Sequence, residues 1–243
     1  MKRFWLNGEE TTFPGAEQTY LRQGISVFTT LRQEQGSWLY LENHFSRLRR
    51  DALALGIAPV PEAAWEGLLA GLPQDPLRVR LTLSPVAWSL EAAPYQAPPE
   101  QVYQGVNVIP TSIQVLAGLA RYKTGSRLPY HLAAQTAQRQ GAFEALLVDH
   151  QGHVVDGTIT SPLLYRDGVL TSLTGGLDGI TRYQVIRQAK ALGLKVTSAA
   201  LSWPECRGQL LLAGSGVGLV PVGTPVDSAV TELVRLFRPV AAG

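Results

Sequence analysis

Lys123 is one of four lysines in a chain whose 21 basic residues are otherwise arginine, and it opens the run Lys123-Thr124-Gly125-Ser126-Arg127-Leu128. A primary amine forms a Schiff base with a carbonyl; a guanidinium does not. Alone, such a lysine reads as an ordinary surface cation, so its meaning depends on its company. Two segments have anion-binding character. Gly175-Gly176-Leu177-Asp178-Gly179-Ile180-Thr181-Arg182 is a flexible turn entering a predicted helix, whose first N–H groups are unpaired and whose dipole favours negative charge. Its bland reading is a glycine-rich turn capped by Thr181. Gly214-Ser215-Gly216-Val217-Gly218 opens like a dinucleotide fingerprint. Strand-like Leu219-Val220-Pro221-Val222 follows in place of the required helix, which excludes a Rossmann site. What remains is a small loop offering a hydroxyl and close backbone approach to a phosphate monoester. Arg47, three residues beyond His44 on a predicted helix, is placed to add a bidentate charge to the same phosphate.

These groups need elements to hold them. Phe4 to Asn7 reads as a strand entering a turn at Gly8, and Val27 to Arg32 and Trp38 to Glu42 as two strands joined through Gly36. Asn43 is a plausible N-cap for a helix through Leu55, with Phe45, Leu48, Ala52 and Leu55 at helical spacing. Glu62 to Leu69 follows as a helix and Arg78 to Leu83 as a strand. Pro85 to Pro99 reads as loop or edge, and Val106 to Ile109 as a strand. Residues 1–113 are expected to form a small N-terminal domain, 114–120 a linker and 121–243 a larger C-terminal domain. In that second part helices are predicted over Leu128–Gln140, Ile180–Leu192 and Asp227–Phe237. Hairpins are predicted over Ala145–Thr158 and over Leu163–Ser172, the latter turning at Asp167-Gly168. Strands are predicted over Lys195–Ala199, Leu210–Ala213 and Leu219–Val222. The mixture predicts an α/β (α+β mixed) fold.

At 243 residues, 45% hydrophobic and 16% charged, the chain suits a compact globular protein. A formal charge of +2, with no dense basic run, argues against a nucleic-acid partner. The single Cys206 excludes an internal disulfide, and no Cys/His spacing fits zinc, so no metal is expected. No apolar stretch approaches a membrane span or a signal-peptide core, and a cytoplasmic location is expected. His131, His150 and His153 read as surface or turn residues, Cys206 as a small buried residue, and Trp5, Trp38 and Trp65 as packing.

In this order the pieces resemble the class IV aminotransferase family of fold-type IV pyridoxal-phosphate enzymes. The resemblance runs from Phe4-Trp5-Leu6-Asn7-Gly8 to Val220-Pro221-Val222. It rests on His44-x-x-Arg47-Leu48, on Lys123 ahead of a helix, and on Glu144-Ala145-Leu146-Leu147-Val148-Asp149 with Gly152 beyond it. Asp156-Gly157-Thr158 and Gly179-Ile180-Thr181-Arg182 complete it. It implies a two-domain enzyme with pyridoxal 5'-phosphate between its domains, paired as a homodimer. It implies that Lys123 holds the cofactor covalently and later moves the substrate proton. Arg47, the backbone at Gly179, Ile180 and Thr181, and Ser215 with Gly216 would hold the phosphate. Asp156 would face the pyridine nitrogen, where the family has glutamate; being a methylene shorter, it demands a closer ring or an intervening water.

Two details lean toward the family's 4-amino-4-deoxychorismate lyases, which release 4-aminobenzoate and pyruvate in folate biosynthesis. One is Val27-Phe28-Thr29-Thr30-Leu31-Arg32, and the other is Lys123-x-x-Ser126-Arg127-Leu128. Thr29 and Arg127 are the implied substrate contacts. A branched-chain or D-amino-acid aminotransferase is the alternative, and a weakly catalytic cofactor-binding protein a third. Gly24-Ile25-Ser26 and Ser161-Pro162 depart from the family pattern, which bears on the shape of the pocket.

Overall fold

A computed structural model describes residues 4–6, 9–11, 23–74 and 76–240. Strands β1 (Phe4–Leu6) and β2 (Glu9–Thr11) form a small antiparallel ladder. The expected turn at Asn7 and Gly8, and the side chain of Trp5, lie outside what is described. The first large sheet is antiparallel, in the order β4-β3-β5-β6. It comprises β3 (Val27–Glu34), β4 (Ser37–Trp38), β5 (Leu77–Leu83) and β6 (Trp88–Pro94). Alternation along these strands decides the faces. Val27, Leu31, Val79, Leu81 and Leu83 pack against Phe45, Leu48 and Ala52 of helix α1 (Leu41–Ala54) and against Trp65 and Leu69 of α2 (Glu62–Ala70). Phe28, Thr30, Arg78 and Arg80 take the intervening positions and line a cleft.

The start of α1 differs from expectation. The strand predicted over Trp38–Glu42 shrinks to Ser37–Trp38, and the helix begins at Leu41, ahead of Asn43. Tyr40, at φ 55°, turns the chain into the helix early, and the Asn43 side chain instead accepts from Gln184 Nε2 at 3.0 Å. The tract Pro85–Pro99 contains the edge strand β6, and the strand predicted to begin at Val106 starts at Val108, after a single bridge from Val106 to Val222.

In the rest of the chain β7 (Val108–Gln114) runs parallel to β8 (Glu144–Val148), which pairs antiparallel with β9 (Val154–Gly157). The β7–β8 crossover carries α3 (Ala117–Ala120), Lys123 and α4 (Leu128–Arg139). Helix α4 lays Ala133 and Ala137 on Ala145, Leu147 and Val155. The second large sheet has the order β12-β11-β10-β13-β14. Its strands are β10 (Ser161–Arg166), β11 (Val169–Leu173), β12 (Lys195–Ala199), β13 (Gln209–Gly214) and β14 (Gly218–Pro221). The β10–β11 hairpin turns at Asp167 and Gly168, whose φ values of 51° and 76° are those a type I′ turn requires. Helix α5 (Ile180–Ala191) makes the crossover between parallel β11 and β12. Helix α6 (Ser228–Phe237) is capped by Asp227, which accepts from the Val230 N–H at 3.0 Å. Leu146, Leu163, Leu170, Leu211, Leu219 and Val230 belong to the core beneath. The mixed α/β expectation holds.

Hydrogen bonds stitch the first sheet to the later chain. Phe28 N donates to the Lys123 carbonyl at 2.9 Å, Gly125 N to the Ser26 carbonyl at 2.8 Å, and Tyr95 Oη to the Gly216 carbonyl at 2.8 Å. The first sheet's stability rests heavily on Trp65, which is 1% exposed and meets Trp88 edge-on at 4.7 Å. Trp65→Ala is expected to cost about 3–5 kcal/mol, read as a lowered denaturant midpoint.

Candidate active site

Helix α1 buries two adjacent stripes. Phe45, Leu48 and Ala52 enter the apolar core, while His44, Arg47 and Asp51, at i, i+3 and i+7, form a polar stripe that is also buried. Arg47 reaches from this stripe to a cleft of about 400 Å³, bounded by the outer face of the first sheet, the start of α4, the β9–β10 turn, the N-terminus of α5 and the β13–β14 loop. The cleft brings together Lys123, Arg47, Asp156, Gly179, Ile180, Thr181, Ser215, Gly216 and Arg127, residues spread over most of the sequence.

Thr29 is absent from that lining, contrary to expectation. It is fully buried; its hydroxyl sits 2.6 Å from His44 Nδ1 and accepts from Arg47 Nη2 at 2.9 Å. The period-two alternation of β3 sends Thr30, its neighbour, to the cleft. Thr29 therefore orients Arg47 from behind. Burial, with Arg47 and Lys123 nearby, holds His44 well below its usual 6.5, so it is neutral there.

Lys123 lines the cleft and is partly buried, with Nζ 4.9 Å from the centre of the Phe28 ring. Surrounding protein, then the positive charges of Arg47 and Arg127, pull its amine well below the usual 10.5, against the opposing pull of Asp156. A lysine so depressed gives up its proton, and so offers a nucleophilic nitrogen, more readily than an ordinary one. Arg47 is itself lowered by burial, to about 10, and stays charged at neutral pH. Its Nε is buried without a hydrogen-bond partner, while Nη1 donates to the Asp178 carbonyl at 3.3 Å.

At the far wall Asp156, 2% exposed, accepts from Leu177 N at 2.9 Å, Tyr130 Oη at 3.2 Å and Ser161 Oγ at 3.2 Å. Desolvation pushes its carboxyl up to about 6, against the lowering effects of the Leu177 N–H and of Arg182, Arg127 and Lys123. Gly176 makes this approach possible, because a Cβ there would come 2.1 Å from the Val155 carbonyl oxygen and 2.8 Å from the Asp156 carboxyl carbon. At the end of the turn Gly179 is the N-cap of α5, so Ile180 and Thr181 present the first N–H groups of that helix.

Two further arginines of the cleft were not singled out from the sequence. Arg78 and Arg80 share the cleft face of β5, and the Arg80 guanidinium lies 3.7 Å from the Phe28 ring centre. Arg127 stacks 3.3 Å over Tyr130 and donates to the Thr158 carbonyl at 2.8 Å. That carbonyl belongs to a turn organised by Glu144, a fully buried carboxylate accepting from Thr158 Oγ1, Ile159 N, Thr160 N and Thr160 Oγ1. The i, i+2 spacing of Arg78 and Arg80 was the one available hint for the first pair. His131 is exposed at the cleft rim, and His153 sits 3.1 Å from Asp149. Cys206 is half-buried. Among the described residues no His/Cys/Asp/Glu group is arranged to hold a metal ion, and no helix is long and apolar enough to cross a membrane.

A cleft with an amine at its floor and arginines around it, on this mixed α/β scaffold, defines a class. Residues 26–224 match the family model for amino-transferase class IV, and the chain belongs to that family, an enzyme family using pyridoxal phosphate. The architecture is that of the fold-type IV enzymes. A solved structure whose protein bears the provisional name 4-amino-4-deoxychorismate lyase matches with a TM-score of 0.93 and 47% identity, covering 98% of this chain and 100% of that one. A Methanocaldococcus jannaschii protein provisionally named branched-chain-amino-acid aminotransferase is 26% identical over 249 residues, covering 90% of this chain and 86% of that one. A Mycobacterium tuberculosis protein described as a hypothetical aminotransferase, solved in its PLP-bound form, shares the fold, with a TM-score of 0.78 and 20% identity over 96% of this chain and 96% of that one.

The shifted pKa values have signed consequences for the cofactor-free protein. Folded Asp156 binds its proton more tightly than the unfolded chain does, whose carboxyl titrates near 3.8. Its contribution to stability is therefore greatest at low pH and falls by roughly 3 kcal/mol as pH rises from about 4 through about 6. Lys123 acts oppositely: its depressed folded pKa makes stability rise with pH until the ordinary 10.5 is passed. Asp156→Asn is expected to flatten the acid-side fall, measured as thermal midpoint against pH.

Proposed function

We propose that this enzyme is a pyridoxal-phosphate-dependent 4-amino-4-deoxychorismate lyase, releasing 4-aminobenzoate and pyruvate. The observation that carries the reading is the charge of the cleft: four arginines, Arg47, Arg78, Arg80 and Arg127, line it with one carboxylate, Asp156. One arginine suits a cofactor phosphate, and the other three suit a substrate bearing two carboxylates. The 47% identity to the structure provisionally named for this activity supports it. The homodimer implied by the family resemblance, and the cytoplasmic setting expected from the sequence, belong to the same proposal.

The residues present fit the cofactor. The buried, unpartnered Nε of Arg47 and the open N-terminus of α5 suit a phosphate, joined by Ser215 Oγ from the β13–β14 loop. Asp156 supplies a carboxylate for a ring nitrogen, and the Lys123 amine, lowered from its usual 10.5, suits an aldehyde. When bound, pyridoxal phosphate supplies an electron sink for charge developing on the substrate carbon that bears the amine. An ionised Asp156 would favour the protonated form of that ring nitrogen. Lys123 Nζ takes the proton from the carbon bearing the substrate nitrogen. The enolpyruvyl C–O bond then breaks with its electron pair leaving on oxygen, the carbocycle becomes aromatic, and the enolate takes up a proton to become pyruvate. Arg127, held by Tyr130 and the Thr158 carbonyl, and Arg80, held against Phe28, orient the carboxylates. General-base work of this kind contributes about 10²–10⁴-fold.

The second reading is a branched-chain aminotransferase, supported by the names of relatives such as the M. jannaschii protein. It requires a keto acid as second substrate, and amino acid alone would leave its cofactor in the pyridoxamine form. The test is 4-aminobenzoate fluorescence from cofactor-loaded protein with aminodeoxychorismate generated in place. Product formation well above the enzyme-free rate is expected, with loss in Lys123→Ala. Cofactor-loaded protein that yields no product refutes the lyase reading and favours transamination. Arg127→Leu is expected to raise KM for the dicarboxylate about tenfold or more, by loss of one charge-assisted contact worth roughly 1.5–3 kcal/mol.

A further inference from the structure

Asp51 lies outside the cleft lining, yet it is 1% exposed and reaches the residue on which the cleft centres. Its Oδ2 accepts the backbone N–H of Lys123 at 3.0 Å. Its Oδ1 accepts from Arg50 Nε at 3.0 Å and Nη2 at 2.8 Å. Arg50 Nη1 donates onward to Asp178 Oδ2 at 3.0 Å, and the Asp178 carbonyl accepts from Arg47 Nη1 at 3.3 Å. Asp178 immediately precedes Gly179, the N-cap of α5. A single carboxylate on α1 thus ties the main chain of Lys123 to the turn that opens the anion-binding helix.

A group that merely satisfied the part-buried Lys123 N–H would need one acceptor oxygen and no onward connection. Asp51 uses both oxygens, on partners from different parts of the chain. The Lys123 carbonyl is meanwhile held by Phe28 N at 2.9 Å. With both main-chain groups fixed, Lys123 cannot slide or tilt without breaking one of them, and the reach of Nζ is measured from a fixed Cα. Misplacement by about 1 Å at such a site is enough to slow a reaction about 10²-fold.

We propose that Asp51 is the positioning residue for Lys123, setting the distance between its amine and the anion-binding end of α5. This rests on the reading that Lys123 bonds pyridoxal phosphate while α5 holds its phosphate. The test uses cofactor-free full-length protein. Pyridoxal phosphate is added, the bond is trapped with borohydride, and labelling of the Lys123 peptide is timed by mass spectrometry. Affinity for pyridoxamine 5'-phosphate, which has the same ring and phosphate but no aldehyde, is measured alongside the melting temperature. Asp51→Ala is expected to slow trapping at least about tenfold while keeping pyridoxamine-phosphate affinity within about threefold. Asp51→Asn, whose amide oxygen still accepts the Lys123 N–H, is expected to recover most of the trapping rate.

Unchanged trapping in Asp51→Ala overturns the proposal. So does a loss of trapping and of pyridoxamine-phosphate binding in parallel with the melting temperature, which is what a merely structural role predicts. Should Asp51→Ala fail to fold, Arg50→Gln decides, since Arg50 is 41% exposed and its loss cuts the link to Asp178. Slower trapping at an unchanged melting temperature is then expected, and unchanged trapping overturns the proposal. Wild-type protein that is not labelled at Lys123 refutes the cofactor reading itself, and this inference with it; labelled wild type with an indifferent Asp51 refutes only the inference.

Discussion

An amine lining a cleft, with guanidinium groups nearby, holds its proton less tightly than an ordinary lysine. Burial and the charges of Arg47 and Arg127 act in the same direction on Lys123, and Asp156 opposes them from across the cleft. The rest of the scaffold serves the placement of that one nitrogen. Strand β3 receives the Lys123 carbonyl, and α1 sends Asp51 to its N–H. The first sheet is fixed against α1 by the apolar stripe of Phe45, Leu48 and Ala52. A helix that would ordinarily bury one apolar stripe here buries a polar one beside it, and the second stripe supplies His44, Arg47 and Asp51. Hydrophobic packing thereby sets the geometry of polar groups that could not be buried on their own.

The buried carboxylates divide the remaining labour. Glu144 accepts four hydrogen bonds and organises the turn after β9, from which Arg127 takes its orientation. Asp156 is held by three donors yet still pushed up to about 6, which marks a group kept in place at some cost in stability. Asp51 receives two donors from Arg50 and one from Lys123. Each carboxylate fixes backbone contributed by another segment, and the cleft is the common result. Buried networks satisfied in this way favour one arrangement over its neighbours, since displacing any member leaves an unpaired group away from water.

Much of this was legible in the sequence. The Asp167-Gly168 turn, the Lys195–Ala199 strand and the alanine-lined helix from Leu128 followed from backbone preferences and periodicity. The family also followed from motif order, and the comparisons bear it out. Helix α1 began two residues before its expected cap because Tyr40 adopts a left-handed conformation that composition does not forecast. Thr29 and Thr30 are chemically identical neighbours, and only the packing of β3 on α1 decides which faces the cleft.

The chain by itself determined which groups were available: a rare lysine, a helix-borne arginine, a glycine-rich helix start and, through the family resemblance, the acid at Asp156. These depend on residue chemistry and on contacts within a few positions. Only the tertiary structure decided that Asp51 meets Lys123 across 72 positions and that Arg50 meets Asp178 across 128. Arg80, too, came to stack on Phe28 through the pairing of β3 with β5. Such contacts are set by sheet register and by the docking of helix on strand, which arise from summed apolar burial over whole elements and leave no local signature at the residues they bring together.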